Sequence, residues 1–85
     1  MTNDSAARLT LFSRNYCHLC QDMLAALKSL LGEFSFDIEV VDVDSDPILA
    51  QKYSESVPLL VADGDELCHY FLDEPKVREY LTQFR

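Results

Sequence analysis

Hydrophobic and polar residues follow different spacings in successive parts of this 85-residue chain, and these spacings predict its secondary structure. The apolar run from Arg8 to Phe12 predicts a first strand. From Leu19 onward the apolar residues recur at helical spacing, which predicts a helix that ends at Gly32. The apolar face of this helix consists of Leu19, Met23, Leu24, Leu27, Leu30 and Leu31.

The middle of the chain predicts a second strand and a short helix. The strand extends from Phe36 to Val43, where β-forming residues are frequent. Its apolar residues alternate and then change parity, as Phe36, Ile38 and Val40 followed by Val41 and Val43. The change predicts either burial on both faces at the end of the strand or a β-bulge. Asp46 as N-cap and Pro47 in the first turn predict a helix to about Ser54.

The last third of the chain predicts a β-hairpin and a final helix. Pro58 to Ala62 is a compact apolar strand, and the Asp63-Gly64 pair is typical of a hairpin turn. Leu67 to Phe71 is the predicted return strand. Asp73 together with Pro75 predicts the start of the final helix. Its apolar face consists of Val77, Tyr80, Leu81 and Phe84.

The predicted order of elements, β-α-β-α-β-β-α, indicates an α/β fold. Two strands joined through a helix run parallel with a right-handed crossover, so the first two strands should pair in parallel. The last two form an antiparallel hairpin, which gives a four-stranded mixed sheet with helices on both faces. We expect a single domain over residues 1–85, with residues 1–7 frayed because they are polar or small.

Composition and charge argue against several classes of function. The chain is 48% hydrophobic and 26% charged, as in an ordinary globular protein. Its net charge of −8 argues against binding to nucleic acid or to an anionic membrane surface. An acidic surface mainly favours solubility, although it also favours basic protein partners. No apolar stretch reaches membrane-spanning length and the first residues resemble no secretory signal, so we expect a cytoplasmic protein. We also expect a monomer.

The main candidate chemistry lies in the segment Cys17-His18-Leu19-Cys20, where the first predicted strand gives way to the first predicted helix. Two thiols with this spacing lie side by side at a helix N-terminus, where unpaired N–H groups and the helix dipole favour the thiolate. A thiolate beside a second thiol can attack a disulfide and then be released by its neighbour. The spacing therefore favours dithiol–disulfide exchange.

The order of elements, with C-x-x-C at the first strand-to-helix turn, resembles the thioredoxin fold and most closely the glutaredoxins. The segment from Phe12 to Cys17 resembles the glutaredoxin run of aromatic, Ser, Lys, Pro, aromatic, Cys, with Arg14 in the basic position. Ser56-Val57-Pro58 resembles the family's Thr-Val-Pro, whose proline is cis and faces the cysteines. The string Tyr-Cys-His-Leu-Cys resembles a group of small bacterial glutaredoxin-like proteins. The likeness extends over residues 8–84.

The resemblance implies a role for each residue that matches the family pattern. Cys17 would be the exposed nucleophile and Cys20 the more buried cysteine that resolves the mixed disulfide. The other matching positions are Arg14 and Tyr16 in a supporting role, and Val57, Pro58 and Asp73 in substrate binding. His18 does not match the pattern, but it is a further supporting candidate because a protonated imidazole would stabilise the thiolate. The implied substrates are protein disulfides or glutathione mixed disulfides. Glutathione is a possible co-substrate, and no bound cofactor or metal is expected.

The sequence also departs from the family pattern. Glutaredoxins have Cys-Pro-Tyr-Cys, whereas His18 and Leu19 lie between the cysteines here. Their Gly-Gly before the last helix, which helps to bind glutathione, is replaced by larger residues in 71–74, where only the acids match. The buried acid of thioredoxins, six residues before the first cysteine, is Leu11 in this chain.

Several simpler or different interpretations remain open from the sequence. The chain could be a thioredoxin-like binding module with little or no redox turnover. Cys68 and His69 could join the cysteine pair in a zinc site, although no second C-x-x-C supports one. A protonated His18 would stabilise the thiolate form, whereas a solvent-exposed His18 would have no effect. Arg14 could contact a substrate carboxylate or simply be solvated.

Overall fold

A four-stranded sheet and three α-helices form the part of the chain that the computed structural model describes, residues 7–53 and 55–83. The strands are β1 (Ala7–Ser13), β2 (Phe36–Asp42), β3 (Leu59–Ala62) and β4 (Asp65–His69). The helices are α1 (His18–Ser29), α2 (Pro47–Tyr53) and α3 (Glu74–Thr82). Their order along the chain confirms the predicted α/β fold class.

The strands lie in the order β2-β1-β3-β4, so β1 and β3 are central. β1 pairs with β2 in parallel, and β3 pairs antiparallel with both β1 and β4. The β1–β2 register runs without interruption to Ser13 opposite Asp42, which excludes the bulge that was one of two expectations for β2. Burial on both faces at the end of the strand is not observed either, because Val40 is exposed and the buried Val43 lies beyond β2 in a 3-10 turn (Val43–Ser45).

The hydrophobic core lies on one face of the sheet, beneath α1 and α3. Alternate residues of β1 point into it: Ala7, Leu9 and Leu11. The helices contribute Met23, Leu27 and Leu30 from α1 and Val77 and Leu81 from α3. Burying a leucine or valine side chain stabilises the fold by roughly 1.5–3 kcal/mol, so this single cluster is the main source of stability.

The opposite face of the sheet is covered less completely. The Phe12 ring stacks on the Tyr53 ring with a centroid distance of 4.6 Å, which places the end of α2 against this face. No residue of α2 is buried, and on β1 itself Arg8 is exposed and Thr10 half-buried. Helices therefore lie on both faces as expected, but only one face carries a full core.

Three apolar residues that were expected to face the core are exposed instead. Leu31 lies in a 3-10 turn (Leu30–Gly32) that follows α1, and the tighter winding of this turn shifts its side chain away from the core. Leu19 is exposed beside the loop at 70–72, one turn before the buried Met23. Val40 pairs with the buried Leu11 but is itself exposed, because it lies on β2 at the edge of the sheet.

The hairpin and the predicted ends of elements differ from expectation in small ways. β4 ends at His69 rather than continuing to Phe71, because Tyr70 has a φ of 66° and breaks the strand. The hairpin turn is as expected, with positive φ at both Asp63 and Gly64. Ala7, expected to fray, is buried in β1. The other expected frayed residues, 1–6, and the predicted helix positions Ser54 and Phe84 lie outside the described residues.

No helix in the described ranges has both the length and the apolar character needed to cross a membrane.

Candidate active site

Cys17 and Cys20 are joined by a disulfide at the start of α1, with their Cα atoms 5.2 Å apart. Cys17 is the N-cap residue, and its extended backbone allows its Sγ to accept a hydrogen bond from the Cys20 N–H at 3.1 Å. A polar N-cap side chain normally satisfies this donor, so the sulfur of Cys17 takes that position. Cys17 is half-buried, whereas Cys20 is only 3% exposed. The sulfur of Cys17 is therefore the more accessible of the two.

The turn that leads into this disulfide holds Tyr16 in an unusual conformation. Tyr16 has a φ of 62° and is 99% exposed. A bulky residue in the left-handed region is strained by about 1–2 kcal/mol, and packing of the Tyr16 side chain does not offset this. The strained backbone redirects the chain from β1 into α1, and it leaves an aromatic ring in solvent directly before Cys17.

Arg14 forms a bidentate ion pair with Asp44. The Nε of Arg14 lies 3.0 Å from Oδ2 of Asp44, and Nη2 lies 3.2 Å from Oδ1. Asp44 is held in turn by its own N–H, which donates to the Asp42 carboxylate at 2.9 Å. The pair ties the loop before the cysteines to the loop after β2. The sequence did not indicate Asp44 as the partner of Arg14, although the parallel pairing of β1 and β2 brings the ends of both strands to the same end of the sheet.

The segment Val57-Pro58 lies next to the turn between β1 and α1. The Val57–Pro58 peptide bond is cis, which confirms the geometry implied by the glutaredoxin resemblance. Because Phe12 pairs with Leu59 in antiparallel register, Pro58 falls beside the end of β1. Pro58 is fully buried and its carbonyl accepts a hydrogen bond from the Tyr70 N–H at 2.8 Å. Residues 57 and 58 therefore connect the β1–α1 turn with the loop before α3.

Asp73 lies at the N-terminus of α3, where it acts as the N-cap. Its Oδ1 accepts a hydrogen bond from the Lys76 N–H at 3.2 Å. A carboxylate at this position stabilises the helix by interaction with unpaired N–H groups and the dipole. A substrate-binding role for Asp73 therefore has to coexist with a structural one.

His18 is the first residue of α1, and its side chain is exposed. It follows Cys17 directly and lies at the same helix end as the disulfide. The sequence left open whether a protonated His18 supports the thiolate or a solvent-exposed His18 has no effect. The side chain is exposed, so solvent weakens any effect of its charge on the sulfur of Cys17.

The residues of the zinc alternative are not brought together. Cys68 points into the core, whereas His69, the next residue on β4, is exposed on the other face beside the Glu66 carboxylate. In the described part of the chain, no three residues among His, Cys, Asp and Glu are grouped closely enough to hold a metal ion.

Cys68 provides a test of how the cysteines differ. Burial raises the pKa of the Cys68 thiol, so little thiolate is present at neutral pH. In a Cys17→Ser/Cys20→Ser variant we expect maleimide to label Cys68 more than ~100-fold more slowly in buffer than in urea, because labelling requires local opening. Mass spectrometry over time measures both rates. Labelling at similar rates in buffer and urea would show that Cys68 is accessible in the folded protein.

The arrangement of the sheet and the helices places this chain in the class of proteins with the thioredoxin fold. The thioredoxin of Fasciola hepatica is 24% identical, with a TM-score of 0.60 over 95% of this chain and 83% of its own, which shows a shared fold. A higher likeness is found to protein Ne2328 of Nitrosomonas europaea, whose solution structure has a TM-score of 0.82. It is 38% identical and is aligned over 95% of this chain and 99% of its own.

Within that class, the chain belongs to the glutaredoxin-like domain family (DUF836), whose model matches residues 8–82. Its relatives include the protein Rv0508 of Mycobacterium tuberculosis, described as uncharacterized, which is 28% identical over 79 residues. That alignment covers 87% of this chain and 81% of the relative. The resemblance to glutaredoxins that the sequence indicated is therefore confirmed at the level of family and fold.

Proposed function

We propose that this protein is a thiol–disulfide oxidoreductase in which Cys17 is the nucleophile and Cys20 is the resolving cysteine. The observation that carries the proposal is the accessible Cys17 at the N-cap of α1, bonded to a buried Cys20. Membership of a glutaredoxin-like family adds support. The proposed substrates are protein disulfides or glutathione mixed disulfides, with no bound cofactor.

The proposed cycle starts from the dithiol. The Cys17 thiolate attacks one sulfur of a substrate disulfide, and the second substrate sulfur leaves as a thiolate that takes up a proton. Cys20 then loses its proton and attacks the Cys17 sulfur, which releases the remaining substrate thiol. Two electrons have passed to the substrate, and the product is the Cys17–Cys20 disulfide. Two molecules of glutathione, or a dithiol reductase, would reduce this disulfide again.

Groups around Cys17 would stabilise its thiolate. The Cys20 N–H already points at the Cys17 sulfur, and the helix N-terminus adds a favourable dipole. We propose a secondary role for the Arg14 guanidinium, whose charge is shared with Asp44. His18 would add to the same effect when protonated. The strained Tyr16 would fix the position of Cys17 and offer its exposed ring to a substrate.

We further propose that an extended substrate segment runs beside Val57 and Pro58. Their position next to the β1–α1 turn supports this proposal, because a segment bound there would present its sulfur near the N-terminus of α1. Asp73, at the start of α3, would lie at the other end of such a segment. Its carboxylate favours a substrate with positive charge there.

The pH dependence of alkylation tests the proposal. A free cysteine carries roughly 200-fold less thiolate at pH 6 than at pH 9. In reduced Cys20→Ser protein we expect the iodoacetamide rate at Cys17 to fall by less than ~30-fold over this range, because the helix N-terminus favours the thiolate. The rate is measured by mass spectrometry of samples in which alkylation is quenched at a series of times, with a cysteine peptide as reference.

Fast exchange of the reduced wild-type protein with a disulfide is the second expected result. A pH profile that follows the reference peptide, together with slow exchange, would contradict the redox proposal. The alternative of a thioredoxin-like binding module would then account better for the exposed aromatic side chains.

A further inference from the structure

A groove of about 190 Å³ lies between α1 and the loop that precedes α3. It is lined by Leu19, Asp22, Met23, Tyr70, Phe71 and Leu72. Five of these six residues are apolar or aromatic, and Phe71 is 70% exposed. Leu19 is the residue before Cys20 in the chain, so one wall of the groove begins next to the cysteine pair in sequence. Leu19, Tyr70 and Phe71 are exposed around one groove, and contiguous exposed apolar side chains mark interaction sites more often than single scattered ones.

The wall formed by residues 70–72 is held in a defined position. Tyr70 has a φ of 66°, and the Phe71 N–H donates to the His69 carbonyl at 2.7 Å, which closes a γ-turn. The Tyr70 N–H donates to the Pro58 carbonyl at 2.8 Å, and the Tyr70 hydroxyl donates to the Glu55 carbonyl at 2.6 Å. The wall is thus hydrogen-bonded to the segment 55–58, which includes the residues beside which we propose that a substrate binds.

The charge around the groove is negative. Asp22 is the acidic residue among its described lining residues, and Asp73, the N-cap of α3, follows the groove wall in sequence. From His18 to Leu27, α1 carries no lysine or arginine. Glutathione has two carboxylates and a net negative charge, so this surface disfavours it electrostatically. A segment with both an apolar and a cationic side chain complements the groove in shape and in charge.

We propose that the groove binds a protein substrate through an apolar side chain and a lysine or arginine that flank its disulfide-bonded cysteine. The inference rests on the proposed oxidoreductase function and names its substrate class. The apolar side chain packs between Leu19 and Phe71, and the cationic group faces Asp22. Binding in this manner brings the substrate sulfur to Cys17. Tyr70 and Phe71 then act as specificity-determining residues that select protein disulfides over glutathione.

The test compares two peptides, each linked through its cysteine to 2-mercaptoethanol by a disulfide. One peptide has Leu and Lys beside the cysteine, and the other has Ser and Glu. We expect reduced wild-type protein to react with the Leu/Lys peptide with about tenfold higher kcat/KM or more, as a well-placed apolar contact provides. The ratio of the two rates should fall towards one in Phe71→Ser, and should fall in part in Asp22→Asn.

Asp37→Asn is the matched control, because Asp37 is an exposed acid on edge strand β2, and the variant should keep the wild-type ratio. Equal rates for the two peptides in wild-type protein would overturn the inference, and so would an undiminished preference in Phe71→Ser. Bis(2-hydroxyethyl) disulfide, which is too small to fill the groove, reports on the redox chemistry alone.

A failure of the proposed function is distinguishable from a failure of the groove. If neither the peptides nor bis(2-hydroxyethyl) disulfide reacts, the redox function is wrong. Binding is then measured by NMR with peptides in which Ser replaces Cys. Shifts at Leu19 and Phe71 caused by the Leu/Lys peptide but not by the Ser/Glu peptide would support the groove as a binding site. An absence of shifts would overturn it.

Discussion

Replacement of Cys17 by Ser is expected to abolish disulfide exchange, whereas replacement of Cys20 by Ser is expected to trap a mixed disulfide. Loss of the nucleophile removes the covalent step altogether, so we expect the exchange rate of Cys17→Ser to fall by more than ~1,000-fold. Cys20→Ser retains the attacking sulfur but lacks the group that releases the substrate. Its product is the adduct on Cys17, formed with loss of one substrate thiol.

Mass spectrometry under non-reducing conditions measures both outcomes after incubation with a peptide disulfide. The Cys17→Ser/Cys20→Ser variant is the matched control, since it retains only the buried Cys68 and should form no adduct. Adducts of equal abundance on the two single variants would contradict the assignment of roles. A predominant adduct on Cys20 in Cys17→Ser would reverse it, and would require the buried sulfur to become accessible.

The fold was predictable from the sequence because each element carries its own local signal. The helical spacing of α1, the Asp63-Gly64 turn and the Asp73 cap act over a few residues, and the order of elements then restricts the sheet to few arrangements. The cysteine pair was predictable for the same reason, since C-x-x-C at a strand-to-helix junction places both sulfurs at one helix end.

What the sequence did not indicate depends on contacts between distant residues. Arg14 and Asp44 are 30 residues apart, and their ion pair depends on where the ends of β1 and β2 meet. The groove joins Leu19 to Phe71, and its wall depends on a positive φ at Tyr70 that no turn signal marks. The exposure of Leu31 follows from a change in helical winding, to which a regular spacing is insensitive.

The second large effect is on the stability of the fold, and it concerns two leucines that the sequence pattern predicts on the same face of one helix. Leu27 has no exposed surface, whereas Leu31 is 45% exposed. Leu27→Ala should lower the free energy of unfolding by about 2–5 kcal/mol, because it removes buried methyl groups and leaves a cavity in the core. Leu31→Ala is the matched control, with the same chemical change at an exposed position, and should lower it by less than about 1 kcal/mol.

Urea denaturation of both variants, with the Cys17–Cys20 disulfide kept oxidised, measures the difference. A small domain is stable by only about 5–15 kcal/mol, so Leu27→Ala removes a large share and should lower Tm by roughly 10 °C or more. Alanine is a good helix former, so a loss of helix propensity does not explain a large effect in α1. Equal losses in the two variants would place Leu31 in the core and contradict the 3-10 turn at the end of α1. Unequal losses would show that tertiary packing, rather than helical spacing alone, decides which leucines stabilise the helix beneath the cysteine pair.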